Sequence, residues 1–500
     1  MPGRLYVSLA ALTAIGALLR FSTLGAQGFW NDEAVTAFIA HLDLWELPAR
    51  ISHNEGTPPL YYVAAWAWMK LFGTGDVALR SLSAVCGTAT IPVGYLAAAE
   101  FVSRRAALAS AALVSVSPLL VWYSQEARSY ALLVLLGALS LSFFVRSLRD
   151  PTPRRLTAWA IFSALALSTH YTAALLVLPE AAWLVYRARP RRPPLIAVAG
   201  VAAIGPPLAA LWLKQHANDA TAEFIKEVPR EVRWVQIPEQ FLIGFGPRSV
   251  PLLAGFASLV ILALSFLAWR GAPQERRGAA RAAALGAAVV APLAVLSPLP
   301  SFDYLITRNV ILAWVPLMIA VAAGLTARRA GQFGLLATVA LCSLSIVTVV
   351  WIARTPSLQR PNWRRVAQVM GPATRERVVV APDRDFASPL LLRYLQEARA
   401  LPSSARVDEI TVVELERSFH RAAVNASSYS GLECWWGSVC EARMVDRHLG
   451  PPSGFQLAER QTDGHFIVSR YRAARPRLIT RRRLTRTVSG NYLMLVQTPG

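Results

Sequence analysis

Lysine is almost missing from this 500-residue chain, in which nearly all of the 51 basic residues are arginine. Charge of either sign is scarce, at 16% of residues. Ordinary globular proteins carry about 25%, so this one has too few charges to cover a water-facing surface. That composition excludes intrinsic disorder and a coiled coil. Four cysteines exclude a disulfide-rich secreted scaffold. Also missing are a P-loop, a dinucleotide fingerprint, an HExxH helix and a Ser-centred nucleophile elbow. What is present is apolar: 54% hydrophobic residues, a mean hydropathy of +0.38, 15 Trp and 33 Pro. Trp and Pro suit membrane interfaces and interrupted hydrophobic helices. The chain reads as a polytopic α-helical membrane protein. A formal charge of +21 would point to nucleic acid in a soluble protein. Here the excess sits in short clusters between apolar runs, where it orients spans, so no nucleic-acid partner is expected.

Hydrophobic stretches of roughly 17–25 residues recur as far as about residue 353, each long enough to cross a hydrocarbon core. The first follows MPGRLY, has no small-residue cleavage site before FWNDEAV, and reads as a retained span. Five basic clusters follow: Arg104–Arg105, Arg146 to Arg155, Arg187 to Arg192, Arg270 to Arg281 and Arg328–Arg329. With all five cytoplasmic, two spans fit between each neighbouring pair. YSQEARSY, STHYTA, residues 214–250 and SFDYLITRN then turn outside. PPLYYVAAWAWMKLFG cannot cross in this scheme; it is short, aromatic and carries Lys70, and it reads as an interfacial helix. DEAVTAFIAHL before it reads as a second. The expectation is about eleven spans, an internal N-terminus, and two interfacial helices in a first external loop over residues 25–79.

By composition the transmembrane domain covers 1–353 and a separate extracytoplasmic domain covers 354–500. In the latter, RVVVAP and GHFIVSRYR read as strands and SPLLLRYLQEARA as a helix, giving a small α/β domain. It ends in the basic run SRYRAARPRLITRRRLTR, a solvated tail or a contact for anionic headgroups. Cys434 and Cys440 lie six apart, a spacing that closes a small disulfide loop in an oxidising compartment. Cys86 and Cys342 fall inside spans and read as reduced packing residues.

Asp32, Glu33, Glu55, Glu126 and Asp303 all map to outer ends of spans or to external loops, and Glu180 alone lies well inside a span. A pump or transporter would place ionisable groups near mid-membrane, often in two repeated halves, and no such repeat is visible. Acids along one membrane face point instead to a reaction at the interface on a partly lipid substrate. Asp32 and Glu33 begin a helix, where an acid either caps it or serves as a general base, Asp32 being the stronger choice. Glu126 and Arg128 in VWYSQEARSY form either an internal ion pair or a phosphate grip. His53 and Glu55 in SHNEGTPPLYY are first-loop candidates for a phosphate or metal contact. His170 and Tyr171 occupy the polar break STHYTA. Tyr304 and Arg308 are four apart, a spacing that shares a helix face. Because arginine so outnumbers lysine, an anionic headgroup is expected to be held by Arg forks.

The segments FWNDEAVTAF, HNEGTPPLYYVAAWAWMKLFGTGDVALRSLSA, SPLLVWYSQEARSYALL and STHYTAALLVLPEAAWL, in that order, resemble the GT-C membrane glycosyltransferases. The similarity is to the family-39-type branch, with protein O-mannosyltransferases, the lipid A aminoarabinose transferase and bacterial lipopolysaccharide sugar transferases. It covers about residues 1–200, reaches SFDYLITRN more weakly and leaves the external domain uncovered. The resemblance implies inverting transfer of a sugar from a polyprenyl-phosphate donor to a glycan, lipid or protein acceptor outside the cytoplasmic membrane. The family's first-loop acid falls on Asp32, with Glu33 beside it, and its second-loop polar position on Gln125, Glu126 and Arg128. Thr57 stands where some relatives have a Lys before the Pro pair. Some relatives contain a divalent metal and others need none, so no cofactor is assigned. The runner-up reading is a transporter or flippase of lipid-linked sugars. Arginine usage points to a bacterial source.

Overall fold

The structure is a computed structural model that describes all residues except 1, 218–224, 226–227, 247–248, 300–301, 328–329, 383–386, 396, 423–431, 436–438, 446–452, 464–465, 486–491 and 500. The chain forms two compact units. One comprises residues 1–24 with 36–352, the other residues 25–35 with 353–500.

The first unit is helical. Among the described residues eight helices are long and apolar enough to cross a membrane. They are Gly3–Phe21, Asp76–Ala99, Tyr130–Arg149, Arg192–Ala217, Val250–Arg270, Pro273–Leu296, Thr307–Leu325 and Gly331–Arg354. A ninth span results if the bent pair Arg104–Val116 and Pro118–Ser124 is taken as one. Eight or nine of the eleven expected spans are thus matched by a helix of that length and hydropathy. The difference lies at Pro153–Thr169 and Ala174–Arg187, of 17 and 14 residues. At 1.5 Å per residue they are about 25 and 21 Å long. They are short because the backbone turns extended at His170 between them (φ −158°, ψ 135°).

In chain order the helices are α1 (Pro2–Phe21), α2 (Asn31–His41), α3 (Leu47–Asn54), α4 (Leu60–Phe72), α5 (Asp76–Ala99) and α6 (Arg104–Val116). Then come α7 (Pro118–Ser124), α8 (Tyr130–Arg149), α9 (Pro153–Thr169), α10 (Ala174–Arg187), α11 (Arg192–Ala202) and α12 (Gly205–Ala217). The first loop thus holds three helices rather than two. The additional α3 begins with a proline in its first turn and is only eight residues long, too short to show a periodic apolar face.

The break between α6 and α7 is a 54° bend set by sequence. Pro118 has no N–H to give the carbonyl of Val114, and Ser117 restarts the helix by accepting the Leu120 N–H at 3.3 Å. Arg20, fully buried on α1, supplies the missing donors. Its guanidinium reaches the carbonyls of Val114 (3.0 Å), Ser115 (2.8 Å) and Gly16 (2.9 Å) and the Ser124 hydroxyl (3.2 Å). Gln125 holds the other end of the same joint, donating to the carbonyl of Leu19 (2.9 Å) and to Thr23 Oγ1 (2.7 Å).

Glu180, the acid inside a helix, has a comparable structural account. It accepts from the Ser140 hydroxyl (2.6 Å) and from Trp159 Nε1 (2.9 Å), tying α8, α9 and α10 together. Three basic clusters also meet. Glu100 binds Arg146 (2.8 Å) and Arg149 (2.7 Å), and Glu275 accepts the Ser103 N–H at 3.0 Å. Gly278 closes that junction, because a Cβ there would fall inside the carbonyl of Phe101. Cys86 and Cys342 are free thiols, buried and half-buried in their helices.

The second unit is β-rich. Its sheet contains β1 (Arg377–Pro382), β2 (Ala398–Ala400), β3 (Ser404–Ala422), β4 (Leu432–Trp435), β5 (Val439–Val445), β6 (Gln456–Asp463), β7 (Phe466–Thr480) and β8 (Tyr492–Gln497). The path is β2-β8-β1-β3-β5-β4, with β7 pairing β3 and β6. Among the described residues only β1 and β3 pair in parallel. The unit also contains the helices Trp363–Met370, Ala387–Tyr394 and Arg481–Thr485, the second of them ending before the expected SPLLLRYLQEARA does. ARA at 398–400 joins the sheet as β2 instead. The backbone register places Cys434 opposite Cys440; their side chains lie outside the described residues.

The Arg20 account has a direct check. Arg20→Met strands the Val114 and Ser115 carbonyls and lowers stability in detergent by roughly 3 kcal/mol. Pro118→Ala returns an N–H to Val114, so the Arg20 loss measured by thermal unfolding is smaller in the double variant. An Arg20 loss of equal size in both backgrounds contradicts it.

Candidate active site

In the first unit the candidate residues gather around one buried ion pair. Glu55 follows α3 with an extended backbone (φ −131°, ψ 148°), and Arg128 lies in the loop between α7 and α8. They meet bidentately, Nη1 to Oε1 at 2.6 Å and Nη2 to Oε2 at 3.0 Å, with both side chains buried. Such a fork fixes the guanidinium plane as well as its charge. Thr36 Oγ1 accepts a further Arg128 N–H at 3.4 Å, and the Arg128 carbonyl accepts from the Ser83 hydroxyl at 3.2 Å. Arg128 also lies over the Tyr62 ring, 5.9 Å from its centroid. The Tyr62 hydroxyl is hydrogen-bonded to Thr57 Oγ1 at 3.0 Å. Burial raises the Tyr62 phenol well above its ordinary range, with the Arg128 cation opposing in part. Glu126 is buried in the same loop.

His170 closes the cluster from the α9–α10 break. Its ring is 5.8 Å from that of Tyr130. Burial, reinforced by the positive charges of Arg308 and Arg128, pushes His170 down to about 3, so the ring is neutral at physiological pH. Its Nδ1 accepts the Thr172 N–H at 3.2 Å, which leaves the ring proton on Nε2. His170 is therefore a neutral donor in a positive field. Tyr171 donates to Gln215 Oε1 (2.7 Å), and Gln215 Nε2 reaches the carbonyls of Ile51 (3.2 Å) and Thr57 (3.0 Å).

The structure departs from the sequence reading at two candidates. Tyr304 and Arg308 do not share a helix face: Ile306 is extended (φ −140°, ψ 158°), and the 3₁₀ turn begins only at Thr307. Tyr304 pairs with His216 instead, its hydroxyl 3.2 Å from Nε2. Arg308 still bears on His170 through its charge. The local backbone is shaped by Asp303, which takes a bidentate, buried contact from Arg233 (2.7 and 2.6 Å). His53 is exposed in the last turn of α3, while Glu55 two residues on is buried.

Asp32 and Glu33 belong to the second unit. Glu33 is fully buried and its Oε2 accepts the Trp30 N–H at 3.3 Å, as a helix-capping acid does. Asp32 is half-buried. Among the described residues no group of three His, Cys, Asp or Glu side chains could hold a metal ion. The sequence reading passed over Thr36, Tyr62 and Gln215. Tyr62 had a signal in PPLYY, a tyrosine a short step after a buried acid, whereas Gln215 is placed only by long-range folding.

Residues 56–211 match the family model described as dolichyl-phosphate-mannose-protein mannosyltransferase. That segment, about a third of the protein, contains Thr57, Tyr62, Glu126, Arg128, His170 and Tyr171, and Glu55 immediately precedes it. The resemblance carried by the sequence motifs is matched over this stretch. Among solved structures, ArnT from Cupriavidus metallidurans in the apo state aligns with a TM-score of 0.48 and 16% identity, covering 74% of this chain and 70% of that one. The archaeal oligosaccharyltransferase AglB from Archaeoglobus fulgidus gives 0.44 and 13%, covering 73% and 57%. The arabinofuranosyltransferase AftD from Mycobacteria gives 0.43 and 18%, covering 72% and 28%. No curated protein sequence matches.

Two measurements test the cluster. Arg128→Met leaves Glu55 as a lone buried carboxylate and destabilises the protein by about 3–5 kcal/mol, and adding Glu55→Gln restores part of that. Equal losses in the single and double variants would show that the pair is not the unit. For His170 the folded state holds no proton that the unfolded state takes up below about 6.5. Its contribution is therefore fully present above pH 6.5 and is lost as pH falls toward 3. Unfolding midpoints of His170→Asn should fall less steeply than those of the parent over that window; parallel curves would exclude the assignment.

Proposed function

We propose that the protein is a multi-pass glycosyltransferase that moves a sugar from a polyprenyl-phosphate donor to an acceptor on the outer face of the cytoplasmic membrane, with inversion at the anomeric carbon. One observation carries the reading. Arg128, held in a buried fork by Glu55, and His170, which feels the Arg308 charge, lie in the segment that matches a family named for transfer from dolichyl phosphate.

The physical requirement is a leaving group that departs with charge. As the bond from the anomeric carbon to the phosphate oxygen breaks, its electron pair leaves with the polyprenyl phosphate. Fixed donors in a dry pocket stabilise that charge far better than water does, because they need no reorganisation. Arg128, oriented by Glu55, and Arg308 serve the phosphate, and the Nε2–H of neutral His170 adds a donor without adding charge. The acceptor oxygen forms the new bond from the opposite face of the sugar, and its proton goes to a general base, the role that the sequence gives to Asp32. Glu33 holds the start of the helix that carries Asp32. The spans keep the lipid-borne donor at the interface, and the β-rich domain faces the same outer compartment. The acceptor is an envelope glycan, a lipid or a protein, and a hexose and a pentose satisfy the argument equally.

Purified protein in nanodiscs, given a polyprenyl-phosphate sugar, should release the sugar to an acceptor. Asp32→Asn should lower turnover by at least about 100-fold, the range of a lost general base. Transbilayer movement of the intact donor without a new glycosidic bond would replace this reading with a flippase.

A further inference from the structure

Residues 25–35, which carry Asp32, group with the C-terminal residues and not with the helices beside them in sequence. The attachments are specific. Arg364 donates to the Gly25 carbonyl at 2.6 Å. Asn362 Oδ1 accepts the Gly28 N–H at 3.0 Å while also accepting the Arg365 N–H at 3.1 Å, so one oxygen caps its own helix and grips the segment. The Tyr394 hydroxyl accepts the Phe29 N–H at 2.9 Å. Trp363 Nε1 donates to Asn31 Oδ1 at 3.1 Å.

Packing reinforces the grip. Phe29 is fully buried, with the Arg393 guanidinium 5.2 Å from its ring centroid. At Gly28 a Cβ would lie 2.6 Å from the Arg364 Cβ and 3.0 Å from the Tyr394 hydroxyl, so only glycine permits this approach. Trp363 is itself anchored, its ring 4.7 Å from that of Phe466 on β7. The series of contacts from sheet to Asn31 is continuous, and Asp32 is the next residue.

We propose that the β-rich domain is the positioning element for the acidic segment, with Asn362, Trp363 and Tyr394 as positioning residues for Asp32. The inference rests on the reading of Asp32 as the proton acceptor. A base must be held within about 0.5 Å of its productive place, and a displacement of about 1 Å costs on the order of a hundredfold in rate. Short polar loops do not hold such tolerances alone. Four side chains of a sheet-anchored domain, all acting on residues 25–31, do.

The test uses the full-length protein in nanodiscs with a polyprenyl-phosphate sugar, read by steady-state kinetics and by amide hydrogen exchange over residues 25–35. Tyr394→Phe removes one hydroxyl and keeps the ring. It should speed exchange at the Phe29 amide and lower kcat about tenfold with donor KM unchanged. Asn362→Ala should do the same, and Asn362→Asp, which keeps an acceptor, should restore the rate. Gly28→Ala should give the largest loss. Faster exchange with parental kcat would overturn the positioning role, and unchanged exchange in both Tyr394→Phe and Asn362→Ala would overturn the attachment. Full turnover in Asp32→Asn would instead remove the functional reading while leaving the exchange result standing.

Discussion

A backbone carbonyl inside hydrocarbon must find a donor within the protein, and the proline that breaks α6 from α7 strands one. Much of the first unit follows from how that demand is met. A guanidinium on α1 enters the break and bonds carbonyls of α1 itself and of the end of α6. Its fourth contact, the Ser124 hydroxyl, lies at the end of α7. The direction in which α7 leaves is thereby fixed, and α7 delivers the loop that carries Glu126 and Arg128. Gln125 repeats the device one residue further on by capping the end of α1. The ion pair at Glu55 is accordingly built on a joint whose own polar groups are already satisfied.

The same constraint sorts the ionisable residues. Charges far from water persist only where a partner or a fork of hydrogen bonds meets them. Glu55 with Arg128 and Asp303 with Arg233 are bidentate pairs, neutral in sum, and each ties a loop to a helix or to another loop. Glu180 is handled differently, with a hydroxyl and an indole N–H as its partners. His170 has no acid among the causes that shift it, only burial and two cations, so it gives up its charge instead. A proton added to that ring would have to be held against Arg308 and Arg128 as well as against burial.

Long-range composition was legible in the sequence, and so was the chemistry of single residues; pairings were not. Apolar runs and basic clusters announce a membrane helix bundle because each signal sums over about twenty residues. The count is left unmatched at α9 and α10, the two helices on either side of His170, of 17 and 14 residues. Glu55 and Arg128 were both candidates, yet 73 positions separate them and no periodicity links them. Tyr304 and Arg308 were linked by a spacing rule that holds only on a helix, and the extended backbone at Ile306 voids it. His53 and Glu55 share a motif but not a fate, since one faces out and the other is buried.

Residues 25–35 were the least legible part, and the reason lies in which atoms do the holding. The groups gripped at Gly25, Gly28 and Phe29 are backbone carbonyl and amide groups, identical in every sequence apart from proline. A composition-based boundary at residue 353 sees an apolar helix end and a polar domain begin, and has no means of assigning an earlier loop to the later domain. Gly28 leaves a mark, as a glycine where any side chain would meet Arg364, but in GAQGFW it reads as ordinary loop punctuation. Recognition through backbone groups tolerates change in the segment that is held. It concentrates the sequence demand on the holders instead, on an asparagine with two donors to satisfy, an indole wedged against the sheet, and one phenolic oxygen.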